Sequence, residues 1–139
     1  MNADGNIWEK IKIGDIASFK VFVGRDKVTD FVSLSGDKNP IHFDEEVAKK
    51  RGLRGPISHG MLLALYFSTL VGEYFLKDHN LYLSQDINFI KSVFIGETIT
   101  VKGRVINKIE SLHILEIGTV IVNKNGEEVV RGSARVKYI

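Results

Sequence analysis

The chain has 139 residues, 44% of them apolar and 26% charged, with 19 basic against 17 acidic side chains for a net charge of +2. That length fits one domain with a buried core, and so even a charge balance gives no reason to expect nucleic acid, whose phosphates are bound by clustered positive charge. The absence of cysteine rules out disulfides, thiolate catalysis and thiolate-held metal, and suits a reducing cytoplasm.

Residues 1–10 contain no apolar core of the kind a secretory leader needs. Residues 7–23 begin as a mixed lead-in around Gly14-Asp15, then alternate through Phe19, Val21 and Val23 with the period of a strand. After Gly24 the spacing changes. Val28, Phe31, Val32 and Ser35 share one helical face, and Gly36 is a natural stop, so this helix delivers Asp37 at its C-terminal end. Asp37, Asn39 and His42 fit no single helix face, and Pro40 biases Asn39 away from helical backbone. Residues 37–42 therefore read as a loop whose polar side chains converge only if a scaffold bends it.

Asp44 can cap a short second helix, with Glu45 and Glu46 in its first turn and Lys49, Lys50 and Arg51 at its end, an order that matches the helix dipole. A loop over residues 52–57 follows, and Ser58 suits the N-cap of a third helix over residues 59–76. That helix is apolar almost all round, the pattern of a buried element. The longest apolar run within it, residues 61–71, falls short of the roughly 20 residues a membrane span needs. Gly60, Ala64 and Ser68 recur at i+4, a stripe of small residues that admits a sheet, a partner helix or a ligand. Strands are predicted over residues 82–90, 97–109, 113–122 and 128–138, the last two joined by a turn at Asn125-Gly126. Long sequential strands beside one apolar helix predict an α+β two-layer design, and residues 1–139 read as one domain.

A carboxylate and an imidazole can together hold and polarise one water, and Asp37 with His42 is the obvious pair. His59-Gly60 adds a helix start, where unpaired N–H groups and the dipole favour a developing oxyanion and glycine leaves room for a carbonyl. Each residue also has a purely structural reading: Asp37 as a turn former, and His42, His59, His79 and His113 as packed histidines. Asp37, His42 and Asp44 show no recognised ligand spacing, so no metal is expected. Lys49, Lys50, Arg51 and Arg54 read as a solvated helix end or as contacts for a phosphate-bearing substrate.

Taken together, Ser35-Gly36-Asp37-Lys38-Asn39-Pro40-Ile41-His42, with Ala48 beyond it, resembles the hydratase-2 motif of the MaoC-like (R)-specific enoyl-CoA hydratase family. Residues 56–64 are similar to the start of that family's central helix, and residues 84–89 and 93–97 to the strand and turn that follow. The resemblance implies a hot-dog fold, with an antiparallel sheet wrapped around one long central α-helix, usually paired into a homodimer. It implies reversible syn addition of water to a trans-2-enoyl-CoA, giving the (R)-3-hydroxyacyl-CoA. Asp37 and His42 would be catalytic, and Asn39, Gly60 and Ser68 would serve the substrate, with the Gly60 amide on the thioester oxygen. Neither a metal nor a redox cofactor is implied, coenzyme A being part of the substrate. A single hot-dog length favours short to medium acyl chains. The alternatives are dehydration of a 3-hydroxyacyl-[acyl-carrier-protein], hydration of a branched or dicarboxylic enoyl-CoA, and a non-catalytic acyl-CoA-binding domain.

Overall fold

Helix α4 (Gly60–Tyr74) packs against a six-stranded antiparallel sheet in the computed structural model, which describes residues 6–139. Residues 1–5, half of the segment read above for a leader, lie outside it. The strands are β1 (Ile16–Phe22), β2 (Asn80–Gln85), β3 (Asn88–Phe89), β4 (Thr98–Ile109), β5 (Ile114–Val122) and β6 (Glu128–Tyr138). Their order is β1-β4-β5-β6-β2, with β3 also paired to β6. This is the predicted α+β design.

The sheet face toward α4 is built by alternation. Leu115, Ile117 and Ile121 on β5 are fully buried, as are Val101 on β4 and Val130, Ala134 and Val136 on β6. From the helix, Leu63, Phe67, Leu70 and Val71 meet them, each at most 2% exposed. Burying one such side chain is worth about 1.5–3 kcal/mol, so this single helix face anchors the layer. The packing of helix on sheet needs a glycine. At Gly103 on β4 an added Cβ would sit 2.8 Å from Leu70 Cδ2 and 2.9 Å from Phe75 Cε2.

Four expectations are corrected. The lead-in contains a helical turn, α1 (Ile7–Lys10), capped by the Asn6 side chain and anchored by buried Trp8. The strand predicted over residues 82–90 is broken into β2 and β3. Asp86 lies in the gap, where its carboxylate takes the Ser133 hydroxyl (2.6 Å) and N–H (3.3 Å) across the sheet. Finally, α4 is buried on one side only: Met61, Leu65 and Ser68 lie on its exposed flank. Ser58 does not cap it: it lies one residue before the N-cap, its N–H bonding the Val93 carbonyl at 2.7 Å and its hydroxyl donating to the His59 carbonyl at 3.0 Å. His59 takes the N-cap position instead. No helix among the described residues is long and apolar enough to cross a bilayer.

Candidate active site

The loop that carries the chemistry is folded by its own side chains. Helix α2 (Arg25–Ser35) stops at Gly36, whose left-handed φ of 77° lets its N–H bond the Val32 carbonyl. From there the backbone turns in steps of two residues. Ser35 Oγ accepts the Asp37 N–H (3.1 Å), Asp37 Oδ1 accepts the Asn39 N–H (3.1 Å), and Asn39 Oδ1 accepts the Ile41 N–H (3.3 Å). Short polar side chains are suited to this because they imitate the backbone of a turn. Pro40 then opens a 3-10 turn, Pro40–His42, and α3 (Glu45–Lys50), capped by Asp44, packs against it. One Asp37 oxygen is used in its turn; Oδ2 is left over, on a side chain half exposed.

His42 is fixed differently, by the segment leading into α4. Ile57 donates its N–H to the Ile41 carbonyl, and Ser58 and Pro56 bond Val93 and Ile95 on the other side. Within this stitching, His42 Nδ1 lies 2.7 Å from the Ile57 carbonyl. A carbonyl only accepts, so Nδ1 carries the hydrogen and Nε2 keeps a free lone pair. His42 is 8% exposed and lines a cavity.

His59 lies beneath it. The two imidazoles stack with centroids 3.7 Å apart and planes 25° from parallel, and Phe31 packs on His59 at 4.6 Å. His59 Nε2 is 3.2 Å from the Asp37 carbonyl and 3.8 Å from Asp37 Oδ2. It therefore donates from Nε2, and Nδ1 is left buried without a hydrogen-bond partner. Burial pushes His59 below the usual imidazole range and His42 adds to that, against the pull of the Asp37 carbonyl and carboxylate.

Asp37, His42 and His59 border a cavity of about 360 Å³ closed by Ile57, Leu63, Phe89, Ile90, Lys91 and Val93. No side chain caps α4, and Gly60 and Met61 also line this space. The leading N–H groups of a helix have no partner within it, so they are donors available to an oxyanion. Glycine at 60 has a second reason: an added Cβ would fall 2.8 Å from the Phe89 ring. The room that glycine makes is thus bordered by an aromatic ring as well as by the cavity.

One donor atom each from Asp37, His42 and His59 lies within 4.8 Å of the others, so these are the residues that could hold a cation. Yet stacked imidazoles hold their in-plane lone pairs side by side, whereas a metal ligand aims its nitrogen at one point about 2.0–2.1 Å away. A water between the Asp37 carboxylate and His42 Nε2 suits the geometry better.

Of the residues singled out in the sequence, Asp37, His42 and Gly60 come together at this cavity. Asn39 does not line it; its side chain is spent capping the Pro40–His42 turn. Ser68, two turns along α4 from Gly60, is exposed and does not line it either. His59, left undecided by the sequence, is the most enclosed polar side chain of the site, and its adjacency to Gly60 was the signal that could have placed it there.

Residues 9–126 match the MaoC like domain family. The chain is 34% identical over 129 residues to an (R)-specific enoyl-CoA hydratase of Aeromonas caviae, covering 93% of this chain and 96% of that protein. It is 31% identical over 126 residues to the mitochondrial 3-hydroxyacyl-[acyl-carrier-protein] dehydratase FERN of Solanum lycopersicum, covering 89% and 75%. The solved structure of an (R)-hydratase from A. caviae superposes with a TM-score of 0.91 at 34% identity, covering 94% of this chain and 99% of that one. The sheet and long helix thus share the hot-dog arrangement of the hydratase structures.

Proposed function

The chain belongs to the MaoC-like family, and from that premise we propose that it is an (R)-specific enoyl-CoA hydratase adding water reversibly to short- and medium-chain trans-2-enoyl-CoA. Residues 1–139 form one such unit in this reading. The observation that carries it is one cavity bordered by both Asp37, with a carboxylate oxygen not used in its turn, and a His42 whose tautomer is set by the Ile57 carbonyl. A fixed Nδ1–H leaves Nε2 ready to take a proton, as a general base requires.

Water held by Asp37 and His42 gives its hydroxyl to Cβ of the enoyl thioester, and one of the two side chains takes the remaining proton. The electron pair of the double bond moves toward the thioester oxygen, which the Gly60 amide stabilises at the start of α4. The same proton then passes to Cα. Both additions come from one side of the substrate, which makes them syn. Atoms balance with water alone. Phe89, Leu63 and Val93 supply apolar walls for the acyl chain.

The test is hydration of crotonyl-CoA, followed by loss of enoyl-thioester absorbance with chiral analysis of the product. Wild type should form the (R)-3-hydroxy product, and Asp37→Asn and His42→Ala should each lose about 10²–10⁴-fold in kcat while still folding. Full activity in the Asp37 variant would sink the mechanism. A second reading, dehydration of a 3-hydroxyacyl-[acyl-carrier-protein], is favoured by the likeness to the tomato enzyme. Crotonyl-carrier protein run beside crotonyl-CoA separates the two by kcat/KM.

We also propose a homodimer. β3 pairs with β6 on one side, and the exposed Phe89 and Ile90 at and beside it border the cavity. A second copy seated there would cover apolar surface next to the site.

A further inference from the structure

The hydrogen bonds of residues 36–39 are local with one exception. Gly36 bonds back into α2, Asp37 to Ser35, and Asn39 to Asp37. All four residues are exposed, so burial does little to hold them in place. Among the described residues, the one hydrogen bond tying this stretch to a distant element is the bond from His59 Nε2 to the Asp37 carbonyl. His42, by contrast, is held through Ile41 and Ile57 to the segment before α4. The distance between the Asp37 carboxylate and the His42 imidazole is therefore set by two separate anchorages, and His59 touches both.

We propose that His59 is a positioning residue: by donating Nε2–H to the Asp37 carbonyl, it straps the catalytic loop to the start of the central helix, with His42 seated on its ring. The inference rests on the hydratase reading for its kinetic consequence and on geometry alone for the strap. The role needs a neutral imidazole that does not itself exchange protons in turnover. Its enclosure favours that state. The titratable groups facing it are His42 and Asp37, and burial outweighs the Asp37 pull.

Two variants separate the bond from the bulk. His59→Phe keeps an aromatic ring under His42 but has no donor; His59→Gln can place an amide N–H near the Nε2 position but has no ring. For crotonyl-CoA hydration, His59→Phe should lower kcat by about 10–100-fold with KM within about threefold, the size expected when reacting groups are misplaced by about an ångström. His59→Gln should recover most of that loss. Above about pH 7, where His59 is neutral in the folded chain, the factor lost in His59→Phe should not vary with pH, because a positioning group carries no catalytic proton.

Wild-type kcat in His59→Phe, an equal loss in both variants, or a loss that changes with pH above about pH 7 would each overturn the proposal. If wild type hydrates no enoyl thioester, the functional reading fails while the strap is still decided without substrate. Nitrogen-15 NMR of the wild-type imidazoles should show His59 protonated at Nε2. Amide exchange at Asp37 and Asn39, whose N–H groups are held by Ser35 Oγ and Asp37 Oδ1, should quicken in His59→Phe and stay near wild type in His59→Gln. An Nδ1-protonated His59, or unchanged exchange in the Phe variant, would dismiss the strap.

Discussion

Asp37 and His42 reach the cavity by unequal means, and the inequality lies in how each residue's neighbours are satisfied. Asp37 sits at the end of side-chain turns that need only Ser35, Gly36 and Asn39. His42 depends on a carbonyl fifteen positions away. The turn chemistry could be read from residue types alone, since Asp, Asn and Pro act on the backbone within two or three positions. His59 could not, because its value lies in contacts with Phe31, Asp37 and His42 that only the folded chain creates. It also carries a consequence for stability. An imidazole held below its ordinary range binds fewer protons folded than unfolded, so stability rises with pH across that interval. Its cost is absent above the unfolded value near 6.5, grows as pH falls below it, and levels off once pH is under the folded value. Urea melts should show wild type losing stability between about pH 7 and pH 5, with a shallower slope in His59→Phe. Identical slopes would assign the acid sensitivity elsewhere.

At the scale of elements, α4 explains both a success and a failure of periodicity. Its existence and ends were legible from an apolar run between Ser58 and the strands. Which face it turns to the sheet was not, because a helix with apolar residues on every side carries almost no directional signal. The sheet decides, taking Leu63, Phe67, Leu70 and Val71 and leaving Met61, Leu65 and Ser68 outside. The strand break at Asp86 was hidden for a similar reason: its bonds to Ser133 cross between strands far apart in sequence. At Gly103 the sheet leaves room for the side chains of Leu70 and Phe75. Gly103→Ala should lower stability by about 1–3 kcal/mol through overpacking against Leu70 and Phe75. Gly118→Ala, where the nearest atom to the added carbon is 3.4 Å away, should change it little. Urea midpoints at constant m-value measure both, and equal midpoints would show that α4 can slide to make room.

For the whole molecule, the free side of β3 and the apolar residues beside it make association the expected state. Size-exclusion chromatography with light scattering should report twice the 15.6 kDa chain mass, and a monomer at micromolar concentration would remove the dimer from the proposal. Strand order was the least legible feature, because neighbours in the sheet are distant in the chain: Ile16 pairs with Arg104, and Asn80 with Tyr138. That register also constrains how the protein is made. Asp37, His42, His59 and all of α4 leave the ribosome when only β1 of the sheet exists. The apolar face of α4 then has no floor to settle on until β4, β5 and β6 have followed. Pairings closed over such spans are slow to form, and exposed apolar helix is a hazard while they do. The half of the chain that holds the chemistry is thus synthesised before the strands that complete its packing.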